Sequence, residues 1–305
     1  MEKKIVEADL AKISQILQHI ISPNASYIKV ERMGGLTNHT YYVLMNNMEK
    51  LIVRLPGEGT EELICRLDEK VSTELACSLN IDADLIYFGD DGTKISRYIE
   101  HAATMSPETM REEEHIHQAA KIFRTLHTCG IDTKVPFEVF EMAASYERII
   151  IENKVSLYKD YADIKMIVMK IKESIDSIGH SNKVPCHNDP LCENWVMGRE
   201  GMYLIDWEYA GMNDAMWDLA DISIEAEYDE RQDKILLQTY FGRLETLDER
   251  NRFLANKIYL DYLWTLWGLT RVPFDGKEMQ DYADTRYLRL KRNLSEFKVM
   301  EEQII

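Results

Sequence analysis

A polar loop in the second half of the chain carries the residue types best suited to chemistry. It has the pattern His187-x-Asp189-x-x-x-x-Asn194, and Asp206 follows twelve residues after Asn194. Phosphoryl transfer needs an aspartate that orients and deprotonates the attacking hydroxyl, and two further oxygen ligands for Mg²⁺. Asp189 is the candidate base, Asn194 and Asp206 are candidate metal ligands, and we expect His187 to brace the loop. The alternative is that these side chains only cap turns and end a strand, each of which is common alone.

The elements around this loop predict an α+β fold. Alternating and helical apolar patterns indicate an antiparallel sheet with one main helix in the first hundred residues, and a mostly helical remainder. The exception is a pair of short strands beside the loop, at 195–197 and 202–205. Predicted helices cover 10–21, 60–79, 107–129, 137–152, 161–178 and most of the chain after 215, and predicted strands cover 27–33, 40–45, 50–55, 84–88 and 93–99.

Composition excludes several classes of protein. The 36 basic residues against 53 acidic ones give a net charge of −17, which disfavours a nucleic-acid partner. No apolar run is long enough for membrane insertion, and the first residues do not form a signal peptide, so we expect a cytoplasmic protein. The five cysteines are scattered without metal-site spacing, which favours reduced thiols. The oligomeric state stays open.

These motifs together resemble a known family. The loop 187–194, the segments 205–209 and 217–220, and the tryptophan-containing segment 262–267 are similar to those of choline/ethanolamine kinases, within the aminoglycoside phosphotransferase and protein-kinase-like superfamily. Inside that family the chain looks most like the bacterial choline kinases that supply phosphocholine for surface glycans. The resemblance runs from about 34 to 293. It implies a bilobal kinase-like fold, with an N-terminal nucleotide-binding lobe (1–100) and a C-terminal catalytic and substrate-binding lobe (101–305), and it implies ATP, Mg²⁺ and choline as ligands.

The nucleotide side follows from the same resemblance. Kinases of this fold place a cation on the third strand, where this chain has Arg54, whose planar guanidinium can grip phosphate oxygens in bidentate fashion. A solvated surface ion pair is the alternative for Arg54. Its partner carboxylate is Glu69 or Glu74, and we favour Glu69. The segment 34–38, which ends at Asn38, either covers the phosphates or is a plain hairpin turn. The backbone near Tyr98 and Ile99 is expected to hold adenine.

The acceptor side needs aromatic faces, because a choline headgroup has no N–H to donate. Trp264 and Trp267 are three residues apart and therefore share one helix face. The resemblance implies that they form an aromatic cage with Tyr282, that Glu225 is its anionic wall and that Tyr228 contributes. The alternative is that both tryptophans are ordinary core residues and that Glu225 is solvated.

Other activities remain open at this level. Ethanolamine is the second candidate acceptor, since a primary ammonium would want carboxylates more than aromatic faces. An aminoglycoside or another small molecule is a less favoured acceptor, because a polycationic sugar needs a broad acidic trough. A binding module without catalysis is disfavoured by the presence of Asp189, Asn194 and Asp206 together. Asp218 is expected to brace the catalytic region through hydrogen bonds.

Overall fold

The computed structural model describes residues 7–33, 38–57, 65–177, 179 and 182–302. Contacts divide the chain into two units. Unit 1 contains residues 1–106 and 192–210, and unit 2 contains residues 107–191 and 211–305. From the sequence alone, 192–210 was predicted to belong with the C-terminal part. In the structure this segment packs into unit 1, because its first strand pairs with the strand at 103–104.

Unit 1 is built on an antiparallel sheet of five strands with the order β1-β2-β3-β5-β4. Residues Ile13 and Leu17 of the first helix pack on one face of this sheet, against buried side chains that include Tyr41, Val53 and Ile95. Burial of this apolar surface is what stabilises the unit. The elements are α1 (Glu7–Ile20), β1 (Tyr27–Arg32), β2 (Asn38–Met45), β3 (Lys50–Pro56), α2 (Arg66–Ser78), β4 (Leu85–Phe88) and β5 (Lys94–Arg97).

A second, smaller sheet completes unit 1. It has three strands, β6 (Ala103–Thr104), β8 (Trp195–Met197) and β9 (Met202–Leu204), in the order β6-β8-β9. A 3₁₀ turn, Cys192–Asn194, leads directly into β8. The two strands predicted beside the polar loop are therefore present, whereas the two-residue strand β6 gave no sequence signal.

Unit 2 is mainly helical. Its longest helices in the described part of the chain are the last two, Leu247–Asp275 and Lys277–Glu302. The first of these packs against four other helices of the unit, which buries it on most sides. The helices are α3 (Pro107–Met110), α4 (Glu113–His127), α5 (Val139–Glu152), α6 (Tyr161–Ser177), α7 (Ala215–Glu225), α8 (Glu230–Phe241), α9 (Leu247–Asp275) and α10 (Lys277–Glu302). The strands β7 (Val184–Cys186) and β10 (Gly211–Asn213) form an antiparallel pair.

The helix predicted over 107–129 is broken in the structure into α3 and α4. Glu112 has an extended backbone, with φ −68° and ψ 133°, and the Arg111 carbonyl accepts a hydrogen bond from Gln232 Nε2 at 2.9 Å. This side-chain bond replaces the helical one, so the helix is interrupted at this point. Among the described residues, no helix combines the length and apolar character needed to cross a membrane.

Candidate active site

The loop that contains Asp189 is held by hydrogen bonds to one buried carboxylate. The chain leaves β7 at Cys186, and the backbone N–H groups of His187 and Asn188 both donate to Asp218 at 2.8 Å. The Asp189 N–H donates to His187 Nδ1 at 3.3 Å. His187 is fully buried, so it braces the loop from inside. Both Asp218 and His187 therefore lie where the sequence analysis expected bracing residues.

Asn188 adds a conformational constraint to this loop. Its φ is +66°, a left-handed conformation that asparagine tolerates better than most residues. The Trp217 indole N–H donates to the Asn188 carbonyl at 3.0 Å, and Asn213 Nδ2 donates to the Asn188 side chain at 2.9 Å. These bonds offset the strain of the left-handed conformation and fix the direction in which the chain enters Asp189.

A buried histidine supports the same carboxylate. His127, near the end of α4, places Nε2 at 3.0 Å from Asp218, and its Nδ1 lies 3.0 Å from the Tyr240 hydroxyl. All three side chains are buried. A buried carboxylate is stable only when its oxygens are hydrogen-bonded, and here the loop and His127 satisfy this requirement. The sequence analysis missed His127, because its partners are far away in the chain.

In unit 1, Arg54 is the centre of a charged cluster. Its guanidinium lies 2.5 Å from Glu69 Oε1 and 3.5 Å from Glu208 Oε1, and it donates to the Gly92 carbonyl at 3.1 Å. Of the two candidate glutamates on α2, Glu69 is buried against Arg54, whereas Glu74 is exposed. The alternative of a solvated Arg54 does not fit a side chain that is itself buried.

Two members of this cluster were missed in the sequence. Arg66 Nη1 lies 2.7 Å from Glu69 Oε2 and 2.9 Å from Glu208 Oε1, so it bridges the same two carboxylates. The sequence offered one indication of a role for Glu208, because this residue lies two positions after the candidate metal ligand Asp206. Asn38 Nδ2 donates to Glu208 Oε1 at 2.5 Å, and the preceding residues 34–37, expected to cover the phosphates, lie outside the described residues.

The candidate metal ligands Asn194 and Asp206 stand at the end of one strand pair. Trp195 pairs with Leu204, and the Ile205 N–H donates to the Asn194 carbonyl at 2.9 Å. This ladder brings Asn194 and Asp206 to neighbouring strand ends. Asp206 has a φ of +71°, which turns the chain sharply after β9.

The carboxylates around Asp206 form a set of oxygen donors. One oxygen each of Glu69, Asp206 and Glu208 lies within 4.8 Å of the others, and Asp206 Oδ1 accepts no hydrogen bond from the described residues. Desolvation and the negative charges of Glu208 and Glu69 raise the pKa of Asp206 to about 6, while Arg54 acts in the opposite direction. An unsatisfied carboxylate oxygen among hard oxygen donors fits a magnesium ion.

The residues expected to hold adenine lie at the end of β5. The Tyr98 N–H donates to the Lys50 carbonyl at 3.1 Å, and the Ile99 carbonyl accepts from Ala102 at 3.2 Å. Among the hydrogen bonds of the described residues, none uses the Tyr98 carbonyl or the Ile99 N–H. An acceptor and a donor are thus adjacent on the backbone.

In unit 2, the predicted aromatic residues form a continuous set of edge-to-face contacts. The ring centroids of Trp264 and Trp267 are 6.0 Å apart, and those of Trp267 and Tyr282 are 5.8 Å apart. Gly268 permits the last contact, because a Cβ at this position would lie 2.8 Å from the Tyr282 ring. Trp264 is only 4% exposed, whereas Trp267 and Tyr282 are partly exposed.

The other two predicted acceptor residues are engaged by protein groups. Arg286 Nη2 donates to Glu225 Oε1 at 2.5 Å, and the Arg286 guanidinium lies 4.9 Å from the centre of the Tyr282 ring. Glu225 is therefore in an ion pair and is not a solvated helix end. The Tyr228 hydroxyl donates to the Met110 carbonyl at 2.9 Å, which ties it to the end of α3.

Comparison with known proteins gives a consistent result. The sequence model of the choline/ethanolamine kinase family matches residues 30–264. A crystal structure of a choline/ethanolamine kinase family protein from Mesorhizobium loti is 31% identical, with a TM-score of 0.80, over 95% of this chain and 99% of that one. The choline kinase LicA from Streptococcus pneumoniae is 30% identical, with a TM-score of 0.78, over 94% and 98%.

Two further structures extend this comparison. A structure of LicA in complex with AMP is 30% identical, with a TM-score of 0.77, over 94% of this chain and 98% of that one. An aminoglycoside 2′-phosphotransferase is 14% identical, with a TM-score of 0.67, over 94% and 97%, which shows a shared fold alone. The predicted kinase-like α+β fold, with an antiparallel N-terminal sheet and a helical C-terminal part, is confirmed. The chain belongs to the choline/ethanolamine kinase family.

Proposed function

We propose that this protein is a choline kinase, which transfers the γ-phosphoryl group of ATP to the hydroxyl of choline and releases phosphocholine and ADP. The family and the likeness to a choline kinase over nearly the whole chain support this activity. Catalysis by such an enzyme is mainly positioning and charge neutralisation, since the transferred phosphoryl group passes through a loose transition state.

Asp189 acts as the base on the acceptor side. Its carboxylate orients the choline hydroxyl and accepts its proton as the oxygen attacks the γ-phosphorus. His187 and Asp218 contribute by holding the loop, as their hydrogen bonds to its backbone indicate. They are positioning residues, because neither needs to contact the substrate for this role.

Asn194 and Asp206 would hold Mg²⁺. The fit rests on the oxygen donors at the end of β9 and on the Asp206 oxygen without a hydrogen bond. When bound, the ion neutralises negative charge on the phosphate oxygens of the nucleotide. Glu208 belongs to the same group of carboxylates, and its contacts to Arg66 and Asn38 hold it in place.

Arg54 binds the phosphates of ATP. Its guanidinium is a rigid fork whose direction is set by Glu69 and by the Gly92 carbonyl. Asn38 adds a polar group beside the same cluster. The Tyr98 carbonyl and the Ile99 N–H provide an acceptor and a donor for the edge of adenine, and the AMP complex of LicA supports nucleotide binding by this fold.

The acceptor pocket binds a cationic headgroup. The single observation that carries this part is the set of edge-to-face contacts among Trp264, Trp267 and Tyr282 in the unit that contains Asp189. Aromatic faces attract a quaternary ammonium without needing an N–H donor. Glu225 lies on α7 of the same unit, where it is ion-paired with Arg286, and Tyr228 supports α3. Ethanolamine stays the second candidate, because the carboxylates of this unit would also suit a primary ammonium.

The test is a comparison of acceptors. ADP release is measured with Mg²⁺ and ATP, with choline, ethanolamine and kanamycin in parallel, and kcat/KM is compared. A choline kinase shows the highest kcat/KM with choline, and replacing Trp267 by Leu lowers that value about tenfold through the loss of a cation–π contact. A matched control is Phe274→Leu, since Phe274 is an exposed aromatic residue on α9 of the same unit. A preference for ethanolamine or kanamycin would contradict the choline assignment.

A further inference from the structure

One buried carboxylate of unit 2 has no role in the catalysis described above. Asp221 lies in the middle of α7, its residue is 1% exposed, and neither of its carboxylate oxygens accepts a hydrogen bond from the described residues. Buried carboxylates are normally paired or hydrogen-bonded, because removal from water without compensation is very unfavourable. Asp221 is therefore a carboxylate for which the described residues provide no hydrogen-bond partner.

Its position on α7 shows where that partner would lie. Asp218, Asp221 and Glu225 are spaced by three and four residues, so they share one face of the helix. Asp218 is engaged by the catalytic loop and His127, and Glu225 is engaged by Arg286. Asp221 stands between them and is the one carboxylate of the three without a hydrogen bond in the described part of the chain.

The charges that face Asp221 are mostly negative. Glu225 and Asp218 act on it from α7, Asp189 acts on it from the catalytic loop, and Arg286 acts on it from α10. Burial and these negative neighbours raise its pKa well above the usual range, with Arg286 opposing. The surroundings of Asp221 thus have an excess of negative charge that a cation would neutralise.

Arg286 does not remove this excess. It is bound to Glu225, and its Nη1 lies 3.6 Å from Asp261 Oδ1. Arg289, the next arginine on α10, donates three hydrogen bonds to Asp261, at 2.7, 2.8 and 3.1 Å. Arg286 Nη1 makes no hydrogen bond with the described residues, and the hydrogen bonds of both arginines go to carboxylates other than Asp221.

The aromatic residues of the proposed headgroup pocket include Tyr282, on which some of the same charged groups act as on Asp221. Tyr282, whose ring contacts Trp267, is acted on by the charges of Arg286, Glu225, Asp189 and Asp221. Contacts connect the two groups of residues as well: Glu225, one turn after Asp221 on α7, binds Arg286, whose guanidinium lies 4.9 Å from the centre of the Tyr282 ring.

We propose that Asp221, and not Glu225, is the counter-charge for the quaternary ammonium of the acceptor. This inference rests on the proposed choline kinase activity and names a residue that determines its specificity. A trimethylammonium group has no N–H, so its carboxylate partner attracts it by charge alone and keeps its oxygens without hydrogen bonds. Glu225, already neutralised by Arg286, instead orients that arginine against the Tyr282 ring.

The experiment compares a charged and an uncharged acceptor of the same shape. Kinetics are measured for the wild type and Asp221→Asn with choline and with its neutral tert-butyl analogue, in which carbon replaces nitrogen. Loss of the counter-charge lowers the ratio of kcat/KM for choline over the analogue at least about tenfold, mainly through the KM for choline. Asp281→Asn, which removes a charge from the exposed surface of α10, is the matched control and leaves the ratio unchanged.

Each other result contradicts the inference. If kcat/KM falls equally with both acceptors, Asp221 has a structural role. If kcat falls with both acceptors while KM is unchanged, the substitution acts on Asp189. If Asp221→Asn keeps the wild-type ratio of kcat/KM for choline over the analogue, another residue provides the counter-charge. Choline binding is followed in parallel by calorimetry without ATP, and a weakened affinity in Asp221→Asn is expected. If the wild type neither binds nor phosphorylates choline, the proposed function fails, whereas normal use of choline by Asp221→Asn removes only the role of Asp221.

Discussion

The two units of this protein differ in how their buried charged side chains are paired. In unit 1, Arg54 and Arg66 each contact Glu69 and Glu208, so every arginine in the cluster is compensated by protein carboxylates. In unit 2, Arg286 and Arg289 of α10 are also paired with carboxylates, but Asp221 has no hydrogen-bonded partner in the described chain. In unit 1, an oxygen left without a hydrogen bond is Asp206 Oδ1, at the proposed Mg²⁺ site. In unit 2, the carboxylate without one is Asp221, at the proposed headgroup site. A carboxylate without a paired charge therefore indicates a ligand site better than the number of carboxylates does.

The largest expected effect concerns the base of unit 2. If Asp189 is the base, replacing it by Ala lowers kcat by about 10³-fold, because the group that accepts the hydroxyl proton is lost. The affinity for an ATP analogue, measured by calorimetry, stays near that of the wild type. Glu193→Gln, an exposed change in the same loop, is the control. Near-normal turnover of Asp189→Ala would refute the role of this residue.

The second effect tests the scaffold beneath that base. Asp218→Ala leaves two backbone N–H groups and His127 without their shared acceptor, so the free energy of unfolding falls by about 3 kcal/mol or more. Urea denaturation followed by tryptophan fluorescence measures this loss, and Asp248→Asn on the exposed surface serves as the control. A stability equal to that of the wild type would show that the loop is held by other contacts.

The third effect tests whether unit 1 depends on the shape of its arginine. Arg54→Lys keeps the charge but loses the planar fork that contacts Glu69 and the Gly92 carbonyl. The KM for ATP is expected to rise about tenfold with a smaller change in the KM for choline. Arg97→Lys, on the exposed end of β5, is the control. An equal rise of both KM values would indicate a general loss of structure.

The smallest effect has the opposite sign to that of Asp218→Ala on the same helix. Without acceptor, Asp221→Asn raises the melting temperature by roughly a few degrees, because it removes a buried carboxylate that lacks a partner. The pKa of Asp221 is raised in the folded protein, so its protonated form stabilises the wild type at low pH, and that stability is lost as the pH rises through the raised pKa. The advantage of the variant should therefore grow with pH. Melting curves across pH test this, and a lower melting temperature at every pH would contradict it.

Sequence reasoning was most successful where the chemistry is local. The polar loop from His187 to Asn194 was recognised from its spacing, and the pairing of Arg54 with Glu69, expected from the family resemblance, is present in the structure. It missed His127, Arg66 and Glu208, since each acts through partners distant in the chain. It also assigned the anionic wall to Glu225 without knowing that Arg286, sixty-one residues further on, would bind it.

The sequence by itself determined the class of fold, the family and the residue types available for phosphoryl transfer. These follow from periodicity and from the fixed spacing of motifs, which the covalent chain already contains. Only the tertiary structure decided which charges are compensated, because the energy of a buried carboxylate depends on the few ångströms around it. Asp218, Asp221 and Glu225 are all acidic residues on one helix face, and only their packing distinguishes a brace, an unpaired charge and half of an ion pair.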